Sequence, residues 1–310
     1  MISVTAPIDR ALTWTKQILF NPFDFEKWFV LGFCAFLAGL AEGGGGGGSF
    51  RSPFPHEAGP DWGPFTQAGN WVMGHLHLVI GLGLLLLILI VALVALFQWL
   101  GSRGQFMFLD GVVHNRAAVV EPWHRFRTLG NDLFVFRFTL GLCGLGAFAL
   151  LGGVGWLVAR PDIEARHFGS ASALALLVAG GPALLVVLAL AIVSLLLNDF
   201  VVPVMYRREI GTGQAFGILW KEIVLGHGGV FVLFYLMRIV LGLASFLIIA
   251  VGTCCTCCLA LLPYLGTVIF LPVFVFFRSY SLHFLAQFGE EWRLVGGPDA
   301  LPEPPEQSEA

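Results

Sequence analysis

The sequence predicts an all-α, polytopic membrane helix bundle, with six transmembrane helices preceded by an N-terminal interfacial amphipathic helix. Three observations carry that reading. Hydrophobic residues make up 57% of the 310 and charged residues only 12%, where a soluble domain carries about 25% charged residues. The mean hydropathy is +0.83. The apolar residues gather into six long segments, and a segment crossing hydrocarbon must satisfy its own backbone, which only helices and closed barrels do. A barrel would show alternating segments of about 10 residues, and this sequence has continuous apolar runs instead.

Residues 1–25 form the interfacial element. Thr5 suits an N-cap and Pro7 the first turn. Ile8, Ala11, Leu12, Thr15, Ile18 and Leu19 share one face, and Asp9, Arg10, Thr13, Lys16 and Gln17 the other. A helix of that pattern lies in the plane of the membrane surface, and Asn21-Pro22 ends it. Residues 26–295 form the membrane domain, with spans at about 28–42, 76–100, 134–159, 173–197, 230–252 and 259–284, judged against the roughly 20 apolar residues a crossing needs. The first is short, because six glycines follow at 43–48; it is expected to cross, with Trp28 as an interfacial anchor. The loop at 43–70 is rich in Gly, Pro and Ser and reads as a flexible linker. Its glycine run lacks the Lys-Ser/Thr and the preceding strand of a phosphate-binding loop. The six glycines of span three, Gly141, Gly144, Gly146, Gly152, Gly153 and Gly155, read as flat faces for close helix packing. The tail at 296–310 is acidic and Pro-rich and is expected to be disordered.

Charge gives the orientation. With both termini cytoplasmic, thirteen of the 17 Lys and Arg fall on the inner side and three on the outer, with Arg238 inside span five. That bias obeys the positive-inside rule. The first 25 residues are interrupted by Asp9, Arg10, Lys16 and Asp24, so span one is expected to act as its own insertion signal. The basic residues are scattered and the net charge is −3, which excludes a nucleic-acid partner. The inner loops, read as Gly101–Asn131 and Asn198–Gly228, resemble each other. Trp123 and Trp220 match at a shift of 97, as do Phe126 with Ile223 and Phe134 with Phe231, which suggests an internal repeat.

The stretch Asp199-Phe200-Val201-Val202-Pro203-Val204-Met205-Tyr206, followed by Ala215 to Trp220 and a Gly-rich start to the next span, resembles the membrane domain attached to some bacterial glycerophosphodiester phosphodiesterases, and related six-span membrane proteins without known activity. The pattern covers about a third of the chain. The phosphodiesterase active site belongs to a separate soluble barrel in that family, so the resemblance implies a fold and a bacterial inner membrane but no reaction.

Candidate chemistry is sparse. Cys254, Cys255, Cys257 and Cys258 give two overlapping C-x-x-C spacings, which suit a soft metal or a dithiol–disulfide couple. The plainer alternative is small residues filling a tight outer hairpin. Cys34 and Cys143 read as buried small hydrophobes. Intramembrane charge is costly and marks packing pairs or solute pathways. The candidates are Arg137, Asp199 and Arg238, with Asp110 and Glu222 placed to meet arginines of the inner loops. No His-Glu-x-x-His or Gly-x-Ser-x-Gly motif occurs, and Ser194 and Ser245 have no base nearby in sequence, so no catalytic residue and no cofactor is expected.

The leading functional reading is a non-enzymatic scaffold or accessory protein of a bacterial inner membrane. It contacts the lipid bilayer through basic loops that attract anionic headgroups, with room for a protein partner. Two alternatives stand beside it: a transporter of a small solute or lipid, resting on the repeat, the glycine-rich third span and Arg238, and a redox or metal-handling protein using Cys254–Cys258.

Overall fold

The structure is a computed structural model that describes residues 2–41, 76–165, 169–256 and 262–295. It is all-α, with no strand among the described residues. The elements are α1 (Ala6–Phe20), α2 (Phe25–Leu40), α3 (Leu76–His114), a short α4 (Val120–Arg125) and α5 (Arg127–Glu164). There follow α6 (Ser170–Arg208), α7 (Thr212–Ile218), α8 (Leu225–Cys255), α9 (Pro263–Ile269) and α10 (Leu271–Leu285). The expected loop at 43–70 and the tail at 296–310 lie outside the described residues.

Among the described residues, four helical stretches are long and apolar enough to cross a membrane: His77–His114, Arg127–Glu164, Ser170–Arg208 and Thr212–Cys254. The first and sixth expected spans are less simple. Helix α2 has 16 residues, so it rises only about 24 Å. Span six is divided, because α9 stops at Ile269 and the chain leaves helical geometry at Phe270 before α10 begins.

The bundle has a packed end and an open end. At the packed end the last turns of α3 and α6, the first turns of α5 and α8, and all of α1, α2 and α10 enclose a core that includes Phe106, Leu109, Phe200, Met205, Phe234 and Phe284, none of them solvent-accessible. An aromatic stack ties α6, α8 and α10 together. Phe234 lies 4.4 Å from Phe284, 4.9 Å from Tyr280 and 5.1 Å from Phe200, ring centre to ring centre, within the range where such pairs add to plain burial. Toward the open end the helices present apolar side chains on every face. The consecutive residues Leu84, Leu85, Leu86 and Leu87 of α3 are each more than half exposed. A helix apolar all round belongs in a core or in lipid.

This division corrects the expected inner loops. The stretch Gly101–Asn131 is mostly helix, because α3 continues to His114. Ser102, Arg103, Gln105 and Asp110, which looked like polar residues beyond a span, are buried, and each has a hydrogen-bond partner: the Gln98 carbonyl for Ser102, Asn131 for Arg103, Asn198 for Gln105, and Tyr206 and Arg116 for Asp110. The second expected loop is helical to Arg208 and again from Thr212. The true turns are short, and each carries a left-handed residue, Asn115 at φ 53° and Glu209 at φ 52°. These turn residues differ by 94 positions, against the 97 of the tryptophan pair, so one fixed shift does not superimpose the two hairpins.

The N-terminal helix also differs. Its buried side is Pro7, Ala11, Trp14, Thr15, Ile18 and Leu19, while Leu12 is exposed. It packs along α10 instead of lying free on a membrane surface. The Trp14 indole donates to the Val112 carbonyl of α3 at 3.1 Å, and Ser3 and Gln287 exchange two 2.8 Å bonds. Trp14 sits beside the apolar stripe and converts an interfacial helix into part of the core. Asp24, accepting from the backbone of Glu26 and Lys27, starts α2. Helix α2 then packs closely on α3. At Gly104 an added Cβ would stand 2.6 Å from the Leu37 carbonyl carbon and 2.7 Å from the Ala38 nitrogen, so only glycine permits this approach. In span three Gly144 and Gly155 meet α6 in the expected way, but nothing lies within 4 Å of a Cβ built at Gly141, Gly146, Gly152 or Gly153.

Candidate functional site

Helix α6 sets up the candidate site. Pro203 has no N–H to give the Asp199 carbonyl four residues earlier, and the helix widens into a π turn over Leu197–Val201. Such turns redirect side chains and free main-chain acceptors. Here the turn presents Asn198 and Asp199 inward. The Asn198 carbonyl accepts from Arg278 of α10 at 2.7 Å, and its side-chain oxygen accepts from Gln105 of α3 at 3.1 Å and from Arg137 of α5. Arg137 also reaches the Ser102 hydroxyl at 3.4 Å. Asp199 forms an ion pair with Arg238 of α8, whose guanidinium lies 5.6 Å from the Phe277 ring centre. The Tyr235 hydroxyl adjoins the same carboxylate. Four long helices and α10 thus converge on two adjacent residues.

Two cavities flank this polar layer. One, of about 230 Å³, is lined by Asn198, Asp199, Arg238, Arg278, Thr267 and Ser281 together with residues of α2. The other, of about 560 Å³, lies between α5 and α6 and has Arg137, Asn198, Gln98 and Ser194 among its lining, with walls from Leu140, Leu190 and Leu195. Asn198 belongs to both. The layer carries three guanidinium groups and one carboxylate.

Of the expected residues, Asp199 and Arg238 are brought together as a pair, and Arg137 reaches Asn198 next to them. Arg238 lies well inside α8, which starts at Leu225, further from the helix start than the apolar segment suggested. Arg137 and Arg278, counted in sequence among the inner basic residues, are helical and point into the layer. Asn198, Gln105 and Ser102 were missed. They are neutral, and neutral polar residues in an apolar run give little signal. Only the Asn-Asp pair four and five residues before Pro203 marks the place.

A second cluster lies at the packed end. Asp110 is fully buried and receives the Tyr206 hydroxyl at 2.8 Å and the Arg116 guanidinium at 3.0 Å, with His114 at 3.2 Å. Arg116 continues to Glu121 at 2.8 Å. Burial works against the Arg116 charge, but the Glu121 and Asp110 carboxylates outweigh it and hold the guanidinium more firmly protonated than usual. Glu222 lies 3.6 Å from Arg208, which also pairs with Glu291 at 2.9 Å. Arg103 stands between the rings of Trp99 and Trp123, 4.3 and 4.7 Å from their centres, and bonds Asn131. These contacts fix the turns between long helices.

The cysteine candidates do not come together as a described site. Cys254 is exposed at the end of α8, Cys255 is the last residue of that helix, and Cys257 and Cys258 lie outside the described residues. Cys34 is buried as expected, whereas Cys143 is exposed on α5. No group of three metal-binding side chains occurs among the described residues.

No curated protein and no solved structure matches the chain. A family model described as "Family of unknown function (DUF7544)" matches residues 2–269, from the start of the chain through α9, and the chain belongs to that family.

Proposed function

We propose that the chain is a six-span protein of a bacterial cytoplasmic membrane, with both termini cytoplasmic, that acts without catalysis as a scaffold or accessory protein in contact with lipid. One observation carries the reading: the long helices expose apolar side chains on all faces toward the open end while polar and aromatic groups gather at the other. Only hydrocarbon surrounds such helices without penalty. In this proposal the first and sixth membrane segments are α2 and the broken pair α9 and α10, both entering from the packed end; α2 reaches the level of Gly101 on α3, where Ala41 meets it. The likeness to the membrane domain of glycerophosphodiester phosphodiesterases belongs to the same proposal. The packed end, with Arg116, Arg125, Arg207 and Arg208 near its turns, faces the cytoplasm and its anionic headgroups.

Reporter fusions test the topology. Fusions at the Asn115 and Glu209 turns are expected to report the cytoplasm, and a fusion at Gly169 the outer side; the opposite pattern would sink the orientation.

A transporter of a small solute or lipid is the second reading, favoured by the cavities beside Asp199, Arg238 and Arg278. Arg238→Leu separates the two. A transporter variant would stay folded and lose flux, whereas a structural pair would show as lost abundance. The redox or metal reading rests on the cysteines alone, and outer-side thiol labelling with metal analysis decides it.

A further inference from the structure

The cleft between α5 and α6 has a particular level along the bundle. On α3 the exposed apolar surface runs to Leu96 and Phe97, after which Gln98, Trp99 and Leu100 are half-buried and the following residues are enclosed. Trp99 is an interfacial residue type. Gln98 lines the cleft together with Arg137, Ser194 and Asn198. The polar floor therefore lies where exposed hydrocarbon-type surface ends, which is the level of lipid headgroups.

The shape and chemistry of the cleft agree with that level. Its floor holds the Arg137 guanidinium, which is buried, with the Asn198 and Gln98 amides, and the Ser194 hydroxyl stands on the exposed side. Its walls are Leu140, Leu190, Ala191 and Leu195, and Gly141, Ala191 and Ser194 are exposed at its mouth. The cleft thus opens sideways through apolar helix faces. Its volume of about 560 Å³ is in the usual range for small-ligand sites, roughly 300–1,000 Å³. Behind the floor stand Arg238 and Arg278 against the single carboxylate of Asp199, so the local field favours an anion. Guanidinium is the side chain best matched to phosphate oxygens.

Resting on the reading that the chain spans a membrane, we propose that this cleft binds a phosphate-type oxyanion through Arg137, with Asn198, Gln98 and Ser194 as neutral partners. The apolar walls select the phosphodiester headgroup of an anionic phospholipid over a free anion.

The test uses the whole protein in mild detergent and reads thermal protection and native mass spectra. The probes are short-chain phosphatidylglycerol, a short-chain diacylglycerol that lacks the phosphate, and inorganic phosphate. Arg137→Gln removes the charge. Because Arg137 is buried and its loss can unfold the protein, Gly141→Leu is the second variant; nothing lies within 4 Å of a Cβ at that position, so a side chain can start there and narrow the mouth of the cleft. Phosphatidylglycerol is expected to protect the wild type and to bind Gly141→Leu about tenfold more weakly or worse, while the lipid-free variant unfolds at or above the wild-type temperature. If inorganic phosphate protects equally and competes with the lipid, the oxyanion site stands and its source is a free anion. Equal protection by the two lipids, or undiminished phosphatidylglycerol binding in Gly141→Leu, would overturn the site. Failure of the membrane reading would look different: alkaline carbonate would release the wild-type protein from membranes.

Discussion

The seam between α2 and α3 makes the sharpest stability prediction. Gly104→Ala adds one methyl group that would stand 2.6 and 2.7 Å from backbone atoms of Leu37 and Ala38. Carbon atoms settle at about 3.5–4.0 Å, so the two helices must part by about 1 Å. Overpacking of this kind costs about 1–3 kcal/mol. Alanine returns about 1 kcal/mol through its better helix propensity. The obstructing atoms are backbone and cannot swing aside, so the upper part of the cost applies and the net loss is about 1–2 kcal/mol. Gly146→Ala is the matched control, because nothing lies within 4 Å of its added Cβ; it keeps the propensity gain alone. Unfolding of both variants in one mild detergent, followed by tryptophan fluorescence, should place Gly104→Ala below wild type and Gly146→Ala at or above it. A Gly104→Ala protein as stable as Gly146→Ala would refute the argument that close backbone approach holds this seam.

Arg238→Leu strands the buried Asp199 carboxylate and should cost about 3 kcal/mol or more; the double variant with Asp199→Leu should recover much of that loss in the same unfolding assay. Trp14→Phe keeps an aromatic ring but removes the bond to the Val112 carbonyl and part of a buried side chain, for a loss of at least about 1 kcal/mol and easier proteolysis ahead of α2. Phe234→Ala empties the centre of the aromatic stack and should cost about 3–5 kcal/mol, seen as lost yield of folded protein.

Helix class and the apolar segments were legible because composition and run length report the solvent directly. Element ends were less so, for one reason visible at several places. The sequence reading stopped span two at Leu100, since Gly101, Ser102 and Arg103 look like exit from hydrocarbon. They leave hydrocarbon but stay in helix, inside protein, and hydropathy does not separate those two settings. Trp14 was passed over on α1 because the i, i+4 stripe around Ile18 looked sufficient for a surface helix; only the presence of Val112 across from it shows a core. Asp199 and Arg238 stood out because each is charged in an apolar run. Their neutral neighbours Asn198 and Gln105 did not, and the π turn that aims Asn198 is a consequence of Pro203 combined with the packing of α10. The glycines of span three were read alike, yet only those facing α6 meet a neighbour, because a glycine reports permission for close approach and not which helix will use it.

The docking of α1 on α10 has a consequence for how the protein is made. Helix α1 has α10 as its main partner, so it waits while roughly 250 residues between them are added, about 12–50 s at the usual pace of translation. Its apolar stripe must be sheltered in that interval, by the membrane surface or by a chaperone. The amphipathic character that reads from sequence as a surface helix then describes a temporary lodging during synthesis, and the packed end closes only when α10 has arrived.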